Sequence, residues 1–344
     1  MSYFKYEEER SNSDVNSRVA LISPMEANFS GVGSTVRGML PLYLSLSLGL
    51  LVGNLELNAE ESVGSVERTG SRFSRFSGGY INQGRSDLEA GGEFRVESFI
   101  SQASIGYRSH SSKEFSIGVG FRRDAYDFGG GSGISATNPW GNIDTLGIAA
   151  STRWAFADDW SLLGIPMIRV MAEEGADWSD SVSGGGLVGF SYRVNDRLTI
   201  GPGFGALTQI EDSLSVFPVI IVDWKINDRL KLETGRGLGA SQGPGLLLSY
   251  SLNPSWSLLA GGRLERLRFR LSRRGPVPNG VGEDRGAPLS IGARYSWMRK
   301  GSVTVFGGFD VAGELQVDNS AGRELTSSNY DPAPFFGISA NLRF

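Results

Sequence analysis

The residues able to do chemistry in this chain are few. The one histidine, His110, stands in Ser109-His-Ser-Ser-Lys113. A Ser/His neighbour pair is the minimum for an activated hydroxyl nucleophile, but this one sits in a short polar turn, where a solvated turn is the simpler reading. Glu173 and Glu174 are adjacent carboxylates in a polar stretch and read as solvated charge. Gly237-Leu-Gly239 lacks the Lys-Ser/Thr pair and the following helix of a phosphate loop. With no cysteine there is no disulfide framework, thiolate metal site or thiol nucleophile. Neither an enzyme nor a cofactor or metal is expected, and a net charge of −4 argues against a nucleic-acid partner.

What remains is charge placed at every second residue. Arg122 and Asp124, and again Arg263 and Glu265, lie two apart, which on an extended strand puts each pair on one face. Arg169, Glu173, Asp223, Lys231, Glu233, Asp310 and Glu314 fall on the same face of their own runs, and Arg236 follows in Glu233-Thr-Gly-Arg236 beside the glycine-rich stretch. Gathered inside a closed sheet, such mixed charges form either a polar constriction that selects solutes or a set of neutralised pairs filling a narrow barrel. Arg266, Arg268 and Arg270 read as a solvated or lipopolysaccharide-facing rim.

The elements that carry these charges are alternating strands. From residue 94 onward the chain divides into runs such as Phe115/Ile117/Val119/Phe121 against Ser116/Gly118/Gly120/Arg122, and Leu146/Ile148/Ala150/Thr152/Trp154 against Gly147/Ala149/Ser151/Arg153. That is the period-2 signature of a strand with one apolar face. Thirteen runs fit, near 94–109, 114–126, 143–155, 158–171, 182–193, 196–208, 214–225, 228–236, 244–252, 255–270, 287–298, 302–315 and 333–344. An even count with both ends on one side requires another within 72–84, so fourteen strands are expected, with twelve as the alternative. Register is weakly specified in that first strand and in the 228–252 hairpin.

Short turn signals (Ala157-Asp-Asp159, Asn195-Asp-Arg197, Asn227-Asp-Arg229, Leu252-Asn-Pro254) alternate with longer Gly/Ser/Asp/Pro stretches at 127–142, 172–181, 271–286 and 316–332. The apolar residue nearest the short turn is aromatic in six runs: Trp154, Trp160, Tyr192, Trp224, Trp256 and Trp297. A soluble sheet scatters its aromatics through its core, whereas a lipid-facing barrel gathers them at the interfaces. Near the same end the opposite face carries Arg108, Arg153, Arg193, Lys225, Arg294 and Arg343, which belong on a wet face. The expected fold is therefore an all-β transmembrane antiparallel up-and-down barrel. The 48 glycines, about twice the usual share of roughly 7%, suit bent strands and lumen space.

The ends agree with this reading. Met39–Val52 is a leucine-rich run of 14 residues preceded by Arg37, too short to span a bilayer as a helix, and reads as the core of an export signal at 39–59 with Ala59 at the cleavage site. Residues 1–38 read as a polar extension, disordered or upstream of a true start at Met25 or Met39, and 60–74 as a periplasmic linker before a barrel at 75–344. At the other end Phe336, Ile338, Ala340, Leu342 and Phe344 alternate to a final aromatic, similar to the terminal signal read by the barrel-assembly machinery.

The span from about 75 to 344 resembles uncharacterised outer-membrane β-barrel families of Gram-negative-type bacteria. The residues carrying the resemblance are Tyr126-Asp-Phe128, Trp154 through Trp160, Gly175-Ala-Asp-Trp178, Glu233-Thr-Gly-Arg-Gly-Leu-Gly239 and Ile338-Ser-Ala-Asn-Leu-Arg-Phe344. The resemblance implies a fold and an outer-membrane location after Sec-type export, and no activity. The function expected is a passive channel or transporter for small polar or hydrophobic solutes; the alternative is a non-conducting structural or surface-binding barrel that acts through its external loops. Partners expected are outer-membrane lipid and lipopolysaccharide, the barrel-assembly machinery and a small solute.

Overall fold

The computed structural model describes residues 70–109, 113–235, 245–297 and 300–344. The extension 1–38, the export segment 39–59, most of the linker, His110, Arg236 and Gly237-Leu-Gly239 lie outside them.

Sixteen strand segments are present among the described residues. They are β1 (Ser71–Asp87), β2 (Glu93–Arg108), β3 (Lys113–Gly129), β4 (Asn142–Ala155), β5 (Trp160–Glu173), β6 (Val182–Asn195), β7 (Leu198–Gln209), β8 (Asp212–Lys225), β9 (Leu230–Gly235), β10 (Gly245–Ser251), β11 (Trp256–Arg263), β12 (Glu265–Arg270), β13 (Val281–Trp297), β14 (Gly301–Asp318), β15 (Glu324–Tyr330) and β16 (Ala333–Arg343). β11 and β12 both pair with β13 and are one stave broken at Leu264; β15 and β16 both pair with β14 and are one stave broken at Asp331 and Pro332. Counted as staves the sheet has fourteen. Every stave is antiparallel to its sequence neighbours, and β1 pairs with β16 to close the cylinder. β1 begins at Ser71, a few residues before the expected barrel boundary.

Alternation is the reason these residues make this surface. Phe99, Ile117, Ile148, Phe204, Ile220, Ile291 and Phe336 are each 45% or more exposed and cover the outside, while Ile100, Ile165, Phe217 and Leu247 are buried inside. Isolated in water, so many exposed large apolar groups would be an aggregation hazard; against hydrocarbon they are the favourable surface. Trp154, Trp160, Tyr192, Trp224 and Trp256 are half-exposed at the short-turn end, and Trp297 is more sheltered beside Tyr295, ring centroids 6.3 Å apart. Phe336, Ile338, Ala340 and Phe344 face outward along β16, with Leu342 half-buried. The chain closes by two backbone hydrogen bonds of 2.9 Å between Ser74 and Phe344.

Inward glycines leave room for large side chains of the neighbouring strand. A Cβ on Gly205 would stand 2.1 Å from the Phe217 ring, so Phe217 lies where residue 205 has no side chain.

The long-loop end departs from a simple cylinder. Above the break at Leu264, β12 and the tips of β13 and β14 lean across the mouth until Arg270 pairs with Ala172 of β5 in parallel register. A bulge licenses the bend: β13 and β14 slip register between Arg285 and Ala287, opposite Ala312, which takes a left-handed φ of 55°. The loop expected at 316–332 is therefore largely strand, and the one expected at 271–286 gives way to strand from Val281 onward.

Candidate functional site

The leaning tip has two faces, both buried. Leu267, Phe269, Leu271, Leu315 and Val317 pack against the tops of β2–β4. There Phe94, Tyr126, Phe128, Trp140, Phe269 and Tyr330 form a chain of ring contacts with centroids 4.9–6.5 Å apart, mostly edge-to-face about Trp140. This aromatic cluster stops the mouth.

The other face is ionic. Arg268 donates from Nε to the Ile210 carbonyl, from Nη1 to Glu283 and from Nη2 to Asp318, each at 2.7 Å. Arg266 holds Glu283 at 2.6 Å and reaches Asp212, 3.4 Å away. Arg270 pairs with Glu211 at 2.6 Å and donates to the Asp180 carbonyl. The expectation of a solvated or lipopolysaccharide-facing rim is thus corrected: Arg268 and Arg270 are buried, because the tip carrying them folds over the mouth and meets the β7–β8 turn. Glu283 alone receives three arginines, the third being Arg285.

Beneath the aromatic cluster lies a small charged chamber of about 40 Å³, lined among others by Gln83, Ser98, Arg122, Glu265, Asp284 and Asp310. Arg122 Nε is 2.7 Å from both oxygens of Asp124, which also accepts from Ser98 at 2.5 Å. The guanidinium of Arg122 stands 3.8 Å from Glu265, and that carboxylate is 3.0 Å from Arg263. The two sequence pairs therefore meet across the barrel as one network, and period-2 spacing is what aims them at each other. Tyr126 Oη donates to Asp284 at 2.7 Å, and Tyr330 Oη lies 3.3 Å from Asp284 and 3.1 Å from Asp310. Gly286, at the bulge, leaves room for the Asp310 carboxylate, which a Cβ there would meet at 2.4 Å.

The other predicted residues lie elsewhere. Arg169 is buried over the apolar group of Ile165, Met167, Leu187, Leu207 and Phe217; its Nε donates to Ser183 at 3.1 Å, and Nη1 has no hydrogen-bond partner. Asp223 and Glu233 share Lys231, at 3.3 and 2.8 Å, nearer the short-turn end. Glu173 serves the mouth: its two oxygens accept from the Gly141 and Ser272 amides at 2.9 and 2.7 Å and tie the tip loop to β5. Glu314 is a correction. Beyond the bulge at Ala312 the alternation of β14 changes phase, so Gly313, Leu315 and Val317 turn inward and Glu314 points away, 3.2 Å from Arg285.

The pattern reading missed Tyr330 and Asp284, since both fell in stretches read as loops. A signal for Asp284 was present: Val281, Glu283 and Arg285 alternate with Gly282, Asp284 and Gly286.

The sequence matches no family model, and no curated protein is similar to it. Solved structures are similar in fold. An outer membrane channel from Pseudomonas putida F1 is 10% identical, covering 84% of this chain and 100% of its own at a TM-score of 0.46. A Pseudomonas aeruginosa FadL homologue is 12% identical over 79% of this chain and 90% of its own, with a TM-score of 0.42. The translocator domain of the autotransporter NalP from Neisseria meningitidis is 16% identical over 81% of this chain and 91% of its own, at 0.36.

Proposed function

We propose that this protein is a gated passive channel of the bacterial outer membrane for small polar solutes, with the leaning tip of β12–β14 as the gate and the charged chamber as its selective layer. The observation that carries this reading is the buried network of Arg122, Asp124, Arg263, Glu265 and Asp310, each but Glu265 less than 9% exposed. A barrel that served only as a scaffold would be as stable or more so with apolar residues there, because desolvating charges costs several kcal/mol per ion. Ionisable groups held at membrane depth mark a solute path. The apolar band, the aromatic belt at the short-turn end and the outward β16 residues support the outer-membrane location and delivery by the barrel-assembly machinery.

The second reading, a non-conducting barrel acting through its loops, is favoured by the closed mouth and by the apolar group around Phe217 that fills the β5–β8 side. Planar-bilayer recording of the full chain and of its Arg268→Ala variant separates the two. The channel reading expects rare, brief openings in the unaltered protein and a higher open probability once the Ile210, Glu283 and Asp318 contacts are gone. Silence from both, with each shown folded by heat-modifiable gel migration, decides for the closed barrel.

A further inference from the structure

We infer that Asp284 and Asp310 share a proton that latches the leaning tip across the mouth, and that its loss as pH rises releases the tip. The inference rests on the channel reading for its consequence, and on three observations of the chamber for the latch itself.

The first is where the two acids stand. Asp284 lies on the tip side of the register slip between Arg285 and Ala287, whereas Asp310 lies on the wall side and pairs with Pro288. Tyr126 of the wall strand β3 donates to Asp284 at 2.7 Å. Tyr330 Oη, at the foot of β15, is 3.3 Å from Asp284 and 3.1 Å from Asp310. Through these contacts the tip is tied to the wall on both sides of the bend.

The second is a proton count. The phenolic proton of Tyr126 goes to Asp284, and Tyr330 brings only one more. Three acceptors stand within its reach, since the Arg285 carbonyl is 3.2 Å away. With both acids ionised, at least one carboxylate oxygen meets the phenol oxygen lone pair to lone pair. An acid that keeps its own proton donates it to Tyr330 Oη, and the same contact becomes a hydrogen bond.

The third is charge. The titratable and charged groups facing the pair are Arg122, Asp124 and Tyr126 from β3, Arg263 from β11, Glu265 from β12 and Tyr330 from β15. Both guanidiniums are committed, Arg122 to Asp124 at 2.7 Å and Arg263 to Glu265 at 3.0 Å. Asp284 and Asp310 have no ion-pair partner among the described residues, and Asp310 is only 7% exposed. Burying two further negative charges with no cation to meet them costs more than holding a proton.

The direction of the switch follows. When the proton leaves for solvent, two like charges face each other across the bend with little screening, and swinging the tip outward hydrates both. The open state therefore binds fewer protons than the closed one, so a rise in pH favours opening.

Three measurements on the folded full chain test this, each repeated on Asp284→Asn and Asp310→Asn. Infrared spectroscopy at neutral pH is expected to show the C=O stretch of a protonated carboxyl in the unaltered chain and to lose it in both variants. Trypsin cleavage after Arg266, Arg268 or Arg270 reads release of the tip. Its rate, divided by that of Asp310→Asn at the same pH to cancel the protease's own pH dependence, is expected to rise severalfold from neutral to alkaline solution. In planar bilayers the open probability rises over the same range, and both Asn variants, whose amide donates where the protonated acid did, stay closed throughout. No protonated carboxyl at neutral pH, or the same pH response in both Asn variants, overturns the latch. Should one variant lose heat-modifiable migration, the other carries the comparison. Conductance indifferent to pH overturns the latch and leaves the channel reading standing; the infrared band and tip release without conductance remove the channel and keep the latch.

Discussion

At the residue scale the lumen is built by pairing an absent side chain with a large one. Gly205 and Phe217 are such a pair, Phe217 being fully buried. Gly205→Ala forces the ring off its place, and overpacking of this kind costs typically 1–3 kcal/mol. The expected outcome is a lower denaturation midpoint of the heat-modifiable form, restored in part by adding Phe217→Leu. A fall with no recovery would locate the strain in the backbone. Tyr330→Phe makes a second case with the opposite logic. The ring stays in its contact with Phe94 at 4.9 Å, while the single hydroxyl proton in reach of Asp284, Asp310 and the Arg285 carbonyl is lost. A buried acceptor left unmet costs about 1–3 kcal/mol, so this variant, too, unfolds at lower urea, although no packing is lost.

At the element scale the strand edges and the shared face of Arg122, Asp124, Arg263 and Glu265 were legible because period-2 alternation is a local property. The tip was not. Its bend depends on Gly286, Ala312 and the break at Leu264, and a one-residue slip exchanges the faces of everything beyond it. The slip is why Glu314 was placed inside, whereas Arg268 and Arg270 read as surface because nothing local in the sequence shows the tip folding over the mouth. It is also why Asp284 and Tyr330, the acid and the phenol of the chamber, fell among loops. The tip as an element rests on Phe269, which is fully buried and touches Tyr126 and Trp140 at 6.4 and 5.1 Å. Phe269→Ala leaves every arginine contact of β12 in place and empties the apolar side alone, at a cost of about 3–5 kcal/mol by analogy with core truncations. If the apolar face is what shuts the mouth, single-channel recording shows longer openings in this variant than in the unaltered chain. Unchanged gating would assign closure to the ionic face.

At the scale of the whole molecule, closure of the cylinder joins residues at opposite ends of the described chain: nine register pairs link β1 and β16 from Arg75↔Arg343 to Gln83↔Phe335. Such a seam is made of contacts far apart in sequence, the kind that slow folding. Phe344 lies at its end with two different contributions. Its backbone exchanges two hydrogen bonds with Ser74, whereas its side chain is 77% exposed and packs against almost nothing in the chain. A side chain that does so little for the folded state is free to serve recognition, and the two contributions separate by substitution. Phe344→Ala keeps both hydrogen bonds, so the folded barrel is expected to keep its denaturation midpoint to within about 0.5 kcal/mol, as for other exposed positions. Its rate of appearance as the heat-modifiable form in cells is expected to fall severalfold. Deleting residue 344 removes the hydrogen bonds as well, and both the rate and the midpoint should drop. A pulse-chase comparison of the two variants reads the difference directly. Equal assembly rates for Phe344→Ala and the unaltered chain would mean that the final aromatic is no signal, and that closure of the seam is all this end of the chain provides.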